Sequence, residues 1–207
     1  HYKSVPFEIE HIDLLAGAQK SDAYKKHNPQ GLVPTLVDGD FELGQSLAIL
    51  SYIADRYPDP SLMLGSTQDQ AYIRQMALLV ACEIHPLNNP KVWKGYVGAK
   101  LGADEQQMQD WFAHWIIEGF TAYEALLEKQ GRMGKFTCGD TPSIADVCLI
   151  PQVYNARRFN VDLSAFPKIR AIEKNCIGLE PFIKAAPESH PYAPDDLEPI
   201  HGAHSPL

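Results

Sequence analysis

Cysteine is scarce, and basic residues are outnumbered by acidic ones. Four cysteines, Cys82, Cys138, Cys148 and Cys176, are spread along a 207-residue chain without a C-x-x-C pair. That spacing argues against a zinc cluster and against a disulfide framework, and it points to buried thiols in a reducing compartment. Eighteen Lys and Arg stand against 26 Asp and Glu, a net charge of −8. Such a balance argues against nucleic acid and membrane surfaces as partners, and any anionic ligand must find a local basic pocket. Long hydrophobic runs are missing too. None approaches the ~20 residues that span a bilayer, and the N-terminus lacks the regions of a signal peptide. The chain reads as cytoplasmic. Internal repeats and low-complexity arrays are also lacking.

What is present is an ordinary globular composition, 45% hydrophobic and 21% charged, in a length that allows one large domain or two small ones. Val5, Phe7 and Ile9 alternate with Pro6, Glu8 and Glu10, the period of a half-buried strand over about 4–11. A short helix fits near Ser21 to Lys26, ended by Asn28-Pro29 and Gly31. Thr35-Leu36-Val37, Asp38-Gly39-Asp40 and Phe41-Glu42-Leu43 then give apolar run, turn and apolar run, a hairpin signal. Leu47, Leu50, Ile53, Ala54 and Tyr57 follow at helical spacing, with Ser46 as N-cap and Pro58 as the stop.

Beyond the Pro58-Asp59-Pro60-Ser61 linker the chain changes character. Ile73 to Ile84 and Met108 to Leu127 carry apolar residues at helical spacing, which predicts two long amphipathic helices. A third starts at Ser143, where Asp146 three residues on completes a capping box of structural purpose. Shorter helical pieces fit Ala165–Lys174 and Leu179–Lys184, and the Pro-rich end reads as an extended or disordered tail. The expected organisation is an α/β domain over 1–60, an all-helical domain over 61–186 and a tail over 187–207. Inter-domain crevices are favoured places for small ligands.

Several residue groups carry chemistry. Val33-Pro34 precedes a strand. With a cis bond, Val33 would present its N–H and C=O to an extended peptide, whereas a trans proline would merely open the strand. Gln45-Ser46 at a helix start offers free N–H groups, a hydroxyl and the positive end of the helix dipole, which suit a carboxylate, though Ser46 can also simply cap. His85 and Asn89 lie four apart, on one helical face. No metal is expected, because no second ligand falls near His85 and the tail histidines His190, His201 and His204 are irregularly spaced. Arg157 and Arg158 stand together late in the third bundle helix, one of them explained by solvation.

The order of elements, together with the stretches from Asn28 to Leu36, Gln45 to Ile49, His85 to Asn89 and Pro151 to Phe159, resembles the cytosolic glutathione transferases. Within them it resembles the zeta class of maleylacetoacetate and maleylpyruvate isomerases, over about Val5 to Lys184. The resemblance implies a thioredoxin-like N-terminal domain followed by a helical bundle, with glutathione as cofactor. It implies glutathione contacts at Val33, Pro34, Gln45, Ser46, His85 and Asn89, and a homodimer. It also implies that an arginine grips a carboxylate of the substrate through a two-point fork, a role assigned here to Arg157. Lys91, where some relatives carry an arginine, keeps the charge but loses the fork. The family's thiol-activating motif has no match in 1–207, so no catalytic residue is assigned and about 20 residues, one strand and half a helix, are expected upstream.

The implied activity is cis–trans isomerisation of a maleyl dicarboxylate by thiolate addition, rotation and elimination. Dehalogenation or conjugation of small α-halo acids is the rival on the same fold. A non-catalytic glutathione-fold interaction module is the rival of another class.

Overall fold

The structure, a computed structural model, describes residues 1–194 and 197. The described residues divide into two compact units, with the break between Ser61 and Leu62.

In the first unit, a helical turn at Ala18–Lys20 leads into α1, Asp22–His27, whose start is capped by the Ser21 side chain accepting from the Tyr24 N–H. Strands β1, Thr35–Asp38, and β2, Phe41–Gly44, pair antiparallel, with Thr35 opposite Gly44 and Asp38 opposite Phe41. Gly39 takes a φ of 61° in the two-residue turn between them, which a side chain would resist. Helix α2, Ser46–Arg56, follows directly and ends before Pro58. The hairpin and α2 thus form where the sequence pattern puts them. The alternation over 4–11 does not become a strand. A strand persists only where a neighbour takes its backbone N–H and C=O groups, and neither β1 nor β2 pairs with this segment, which runs as exposed irregular chain.

The second unit is helical: α3, Thr67–Leu78; α4, Pro90–Val92; α5, Glu105–Gln130; α6, Ile144–Arg158; α7, Pro167–Ile177; and α8, Glu180–Ala185. Its core is one apolar stripe per helix: Ile73 and Met76 from α3, Ile116, Phe120 and Tyr123 from α5, Leu149 and Val153 from α6, Ile169 and Ile172 from α7. Helix α3 widens into a π-helical turn over Leu79–Ile84, where Ile84 lies so close to α5 that a Cβ on Gly119 would meet its Cγ1 at 2.3 Å. Only glycine fits there. Capping boxes start α3 at Ser66, α5 at Asp104 and α6 at Ser143; the last is the one legible in advance, and it is structural as expected.

Asp146 of that box is buried and accepts from the Ser143 N–H, the Ser143 hydroxyl and the Thr137 N–H, all at 2.8 Å. Burial pushes its pKa up, against the opposing pull of those donors. The cysteines only partly follow the buried-thiol reading: Cys138 and Cys176 are buried and Cys148 is half-buried, its thiol pushed up to about 12 by burial, while Cys82 is exposed. A 3-10 turn at Pro187–Ser189 begins the tail. The described tail runs on to Pro194 and includes Leu197, and its remaining residues, His201 and His204 among them, lie outside the described residues. No described helix is long and apolar enough to cross a membrane.

Candidate functional site

The loop from Asn28 to Pro34 is built by hydrogen bonds that stop one residue short of Val33. Asn28, buried, receives the Gln30 N–H on its Oδ1 and donates Nδ2 to the Leu32 carbonyl at 2.8 Å. The Tyr24 hydroxyl donates to the same carbonyl at 2.8 Å and meets Thr35 Oγ1 at 2.8 Å, so α1 holds both ends of the loop. The Val33–Pro34 bond is cis. Val33 is 41% exposed, and among the described residues no internal partner takes its N–H. Its backbone is thus open to a peptide.

Beside the hairpin, the start of α2 differs from the expected cap by one residue. The N-cap is Gln45, not Ser46, which is already the first helical residue. Gln45 has φ 68° and ψ 113°, a conformation that side-chain-bearing residues avoid, and it makes no capping bond with its side chain. Instead its Nε2 donates to Gln30 Oε1 at 2.9 Å. The N–H groups of the first helical turn therefore lack a side-chain cap, next to the exposed Ser46 hydroxyl. Uncapped donors at the positive end of a helix dipole, with a hydroxyl alongside, suit a carboxylate. The residues present therefore fit the carboxylate and peptide groups of a glutathione-like ligand.

The second unit arranges its residues differently from the sequence reading. His85 ends the π-helical turn with αR backbone, and Asn89 is the N-cap of α4 with extended backbone, its Oδ1 accepting the Lys91 N–H at 3.1 Å. The two therefore do not share a helical face; an i, i+4 spacing aligns side chains only where the helix is unbroken, and Pro86 and Pro90 interrupt it. Between them Asn88 is buried and donates Nδ2 to the Phe112 carbonyl at 3.2 Å, and Trp111 donates Nε1 to the Leu87 carbonyl at 3.0 Å. These bonds pin the turn to α5. His85 keeps solvent-open surface, yet desolvation lowers its pKa from the ordinary 6.5 and the Lys91 charge adds to the shift, so its imidazole is held neutral near pH 7. Lys91 is exposed.

Arg157 meets a partner that the sequence did not reveal. Its Nε donates to Glu173 Oε1 at 2.6 Å and its Nη2 to Glu173 Oε2 at 2.5 Å, a two-point ion pair between α6 and α7 with side chains only 14% and 4% exposed. The guanidinium assigned to the substrate is thus committed to a buried carboxylate. Arg158, exposed, lies over the Phe159 ring at 5.8 Å and has no carboxylate partner among the described residues. Phe159 packs on Phe112 at 4.0 Å and on Trp93 at 5.4 Å, which joins the end of α6 to the segment that carries Asn89 and Lys91. Among the described residues no cluster of side chains is placed to bind a metal ion.

Residues 1–55 match the model of the glutathione S-transferase N-terminal domain, and residues 105–173 that of the glutathione S-transferase C-terminal domain. The chain is 42% identical, over 91% of its own length and 89% of the relative's, to a maleylpyruvate isomerase of Ralstonia sp.. It is 41% identical, over 96% and 88%, to a maleylacetoacetate isomerase of Dictyostelium discoideum. Among solved structures, a holo maleylpyruvate isomerase described as a bacterial zeta-class glutathione transferase superposes with a TM-score of 0.90 at 41% identity, over 93% of this chain and 91% of that one. A maleylacetoacetate isomerase of Methylobacterium extorquens with bound malonate and glutathione gives 0.89 at 33% identity, over 93% and 90%. Two small units, one with an open loop and an uncapped helix start and one a helical bundle, are the two halves of a known fold, and the chain belongs to the glutathione transferase family, in its zeta class.

Proposed function

We propose that the protein is a glutathione-dependent isomerase that converts a maleyl dicarboxylate to its fumaryl isomer. The observation that carries this reading is the identity of 42% to the Ralstonia maleylpyruvate isomerase over 91% of the chain. The uncapped start of α2 and the open Val33 backbone agree with it. When bound, glutathione supplies the thiolate that adds to the cis double bond and leaves after rotation, so it is not consumed. Val33 and Pro34 hold its peptide backbone, and Gln45 and Ser46 hold the carboxylate of its γ-glutamyl end. From the helical unit, His85 and Asn89 contact glutathione or substrate. A neutral His85 can accept one hydrogen bond and donate another without adding charge. No residue of 1–207 is assigned to thiol activation.

Addition to the double bond pushes negative charge onto the substrate, so fixed cations lower the barrier. Arg158 replaces Arg157 in this role, because the Arg157 fork is filled by Glu173 while that of Arg158 is open. Lys91 supplies a second, single-point charge. The protein works as a cytoplasmic homodimer on this reading, which the family membership and the thiols without disulfides support.

The test is spectrophotometric conversion of maleylpyruvate and of maleylacetoacetate, with and without glutathione. Turnover of either that depends on glutathione supports the proposal. Turnover only of small α-halo acids, or of none of these, overturns it.

A further inference from the structure

We propose that Glu173 is a positioning residue for substrate binding, acting through Arg157: the two-point pair locks the last turn of α6 to α7 and thereby sets where Arg158 stands. The proposal rests on the reading of Arg158 as the cation that meets the substrate carboxylate. Backbone already closes the end of α6: Asn160, just after the cap residue Phe159, takes a left-handed φ of 53°, its N–H donates to the Arg157 carbonyl at 3.0 Å, and the Val161 N–H donates to the Ala156 carbonyl at 2.9 Å. What this closure does not supply, and the ion pair does, is a tie from that turn to α7. Arg157 is the penultimate helical residue and Arg158 the last. Any rotation or fraying of this turn would move both guanidinium groups together. The clasp prevents it from one side, because Glu173 sits fully within α7, flanked one residue earlier by the core residue Ile172, and cannot follow a fraying partner. From the other side, Phe159 is held edge-on against Trp93.

Nothing at Glu173 points to a direct role. Its carboxylate is 4% exposed and both its oxygens face the Arg157 fork, so an anionic substrate would meet no donor there. Its charge also matters to selectivity. A chain with a free Arg157 would offer two adjacent guanidinium groups, and the clasp leaves one.

The experiment compares Glu173→Gln with the unaltered full-length chain in three readouts: thermal midpoint, KM for the maleyl substrate against KM for glutathione, and calorimetric affinity for maleate, a probe that needs no turnover. Glutamine keeps the volume but places an NH2 donor before a guanidinium that only donates, which breaks the fork. The expected result is roughly a tenfold weakening for maleate and for the maleyl substrate, with glutathione within about twofold of normal. The swapped pair Arg157→Glu with Glu173→Arg restores the clasp and should recover most of that loss, which a merely stabilising contact at this place would not require. Should Glu173→Gln fail to fold, Arg157→Met with Glu173→Leu fills the space with apolar volume, and the same weakening is expected. A lower thermal midpoint with unchanged maleate affinity overturns the proposal, as does an equal loss for glutathione. Failure of the isomerase reading is separate, because it shows as an unaltered chain that binds maleate without isomerising any maleyl substrate.

Discussion

The loop around Val33 and Ser46 and the end of α6 both address charged groups, but they are built on opposite plans. In the first unit recognition is a matter of backbone: the Val33 N–H, the uncapped start of α2 and a strained Gln45, all near the surface and all carrying partial charges. In the second it is a matter of full charges, Arg157 on Glu173 in a nearly dry setting and Arg158 in the open. Backbone donors need no ion to be desolvated, so they can be left exposed at little cost to stability. A guanidinium inside the bundle has to be matched, and its partner then decides which of two neighbouring arginines remains available. Substitutions in the first unit should therefore separate binding from stability, and substitutions at the buried pair should not.

The strongest test of that contrast is Arg157→Met. It leaves the Glu173 carboxylate buried without its counter-ion and should cost about 3–5 kcal/mol of folding free energy, read by chemical denaturation; a loss below ~1 kcal/mol would mean that the pair is solvated like a surface bridge. Gln45→Gly goes the other way. It relieves the φ of 68° and should stabilise the fold by about 1 kcal/mol while glutathione affinity falls, a divergence of stability from binding visible in one melting and one calorimetric series.

Ser46→Ala should weaken glutathione about fivefold with an unchanged melting temperature, since Ser46 does not cap its helix. A drop in melting temperature without a change in affinity would return the residue to a capping role. The smallest expected effect is electrostatic. The folded pKa of His85 lies below its ordinary value, first from desolvation and then from Lys91. Its contribution to stability is therefore complete above about 6.5 and is lost as pH falls through the folded value. Lys91→Met should move the His85 titration upward, as followed by the imidazole proton resonances, and an unmoved curve would show that the ammonium does not reach the ring.

Much of the architecture follows from local pattern. The hairpin turn at Gly39, the stop of α2 before Pro58 and the capping box at Ser143 each rest on residues within a few positions of one another, and each forms as those residues direct. The segment 4–11 shows the limit of such reasoning. Alternation states that a segment could be a strand, but a strand also requires a neighbour, and neither β1 nor β2 supplies one. His85 and Asn89 show another limit, because their spacing implies a shared face only while the helix runs unbroken, and Pro86 and Pro90 break it.

The sequence by itself determined the family-bearing motifs, the hairpin, the amphipathic helices and the group of residues around Val33 and Ser46, because short-range sterics and hydrophobic periodicity act along the chain. Tertiary structure alone decided which arginine is open. Glu173 lies 16 positions from Arg157 on a different helix, and an ion pair between helices depends on packing that brings their faces within about 3 Å, a distance that no local pattern encodes.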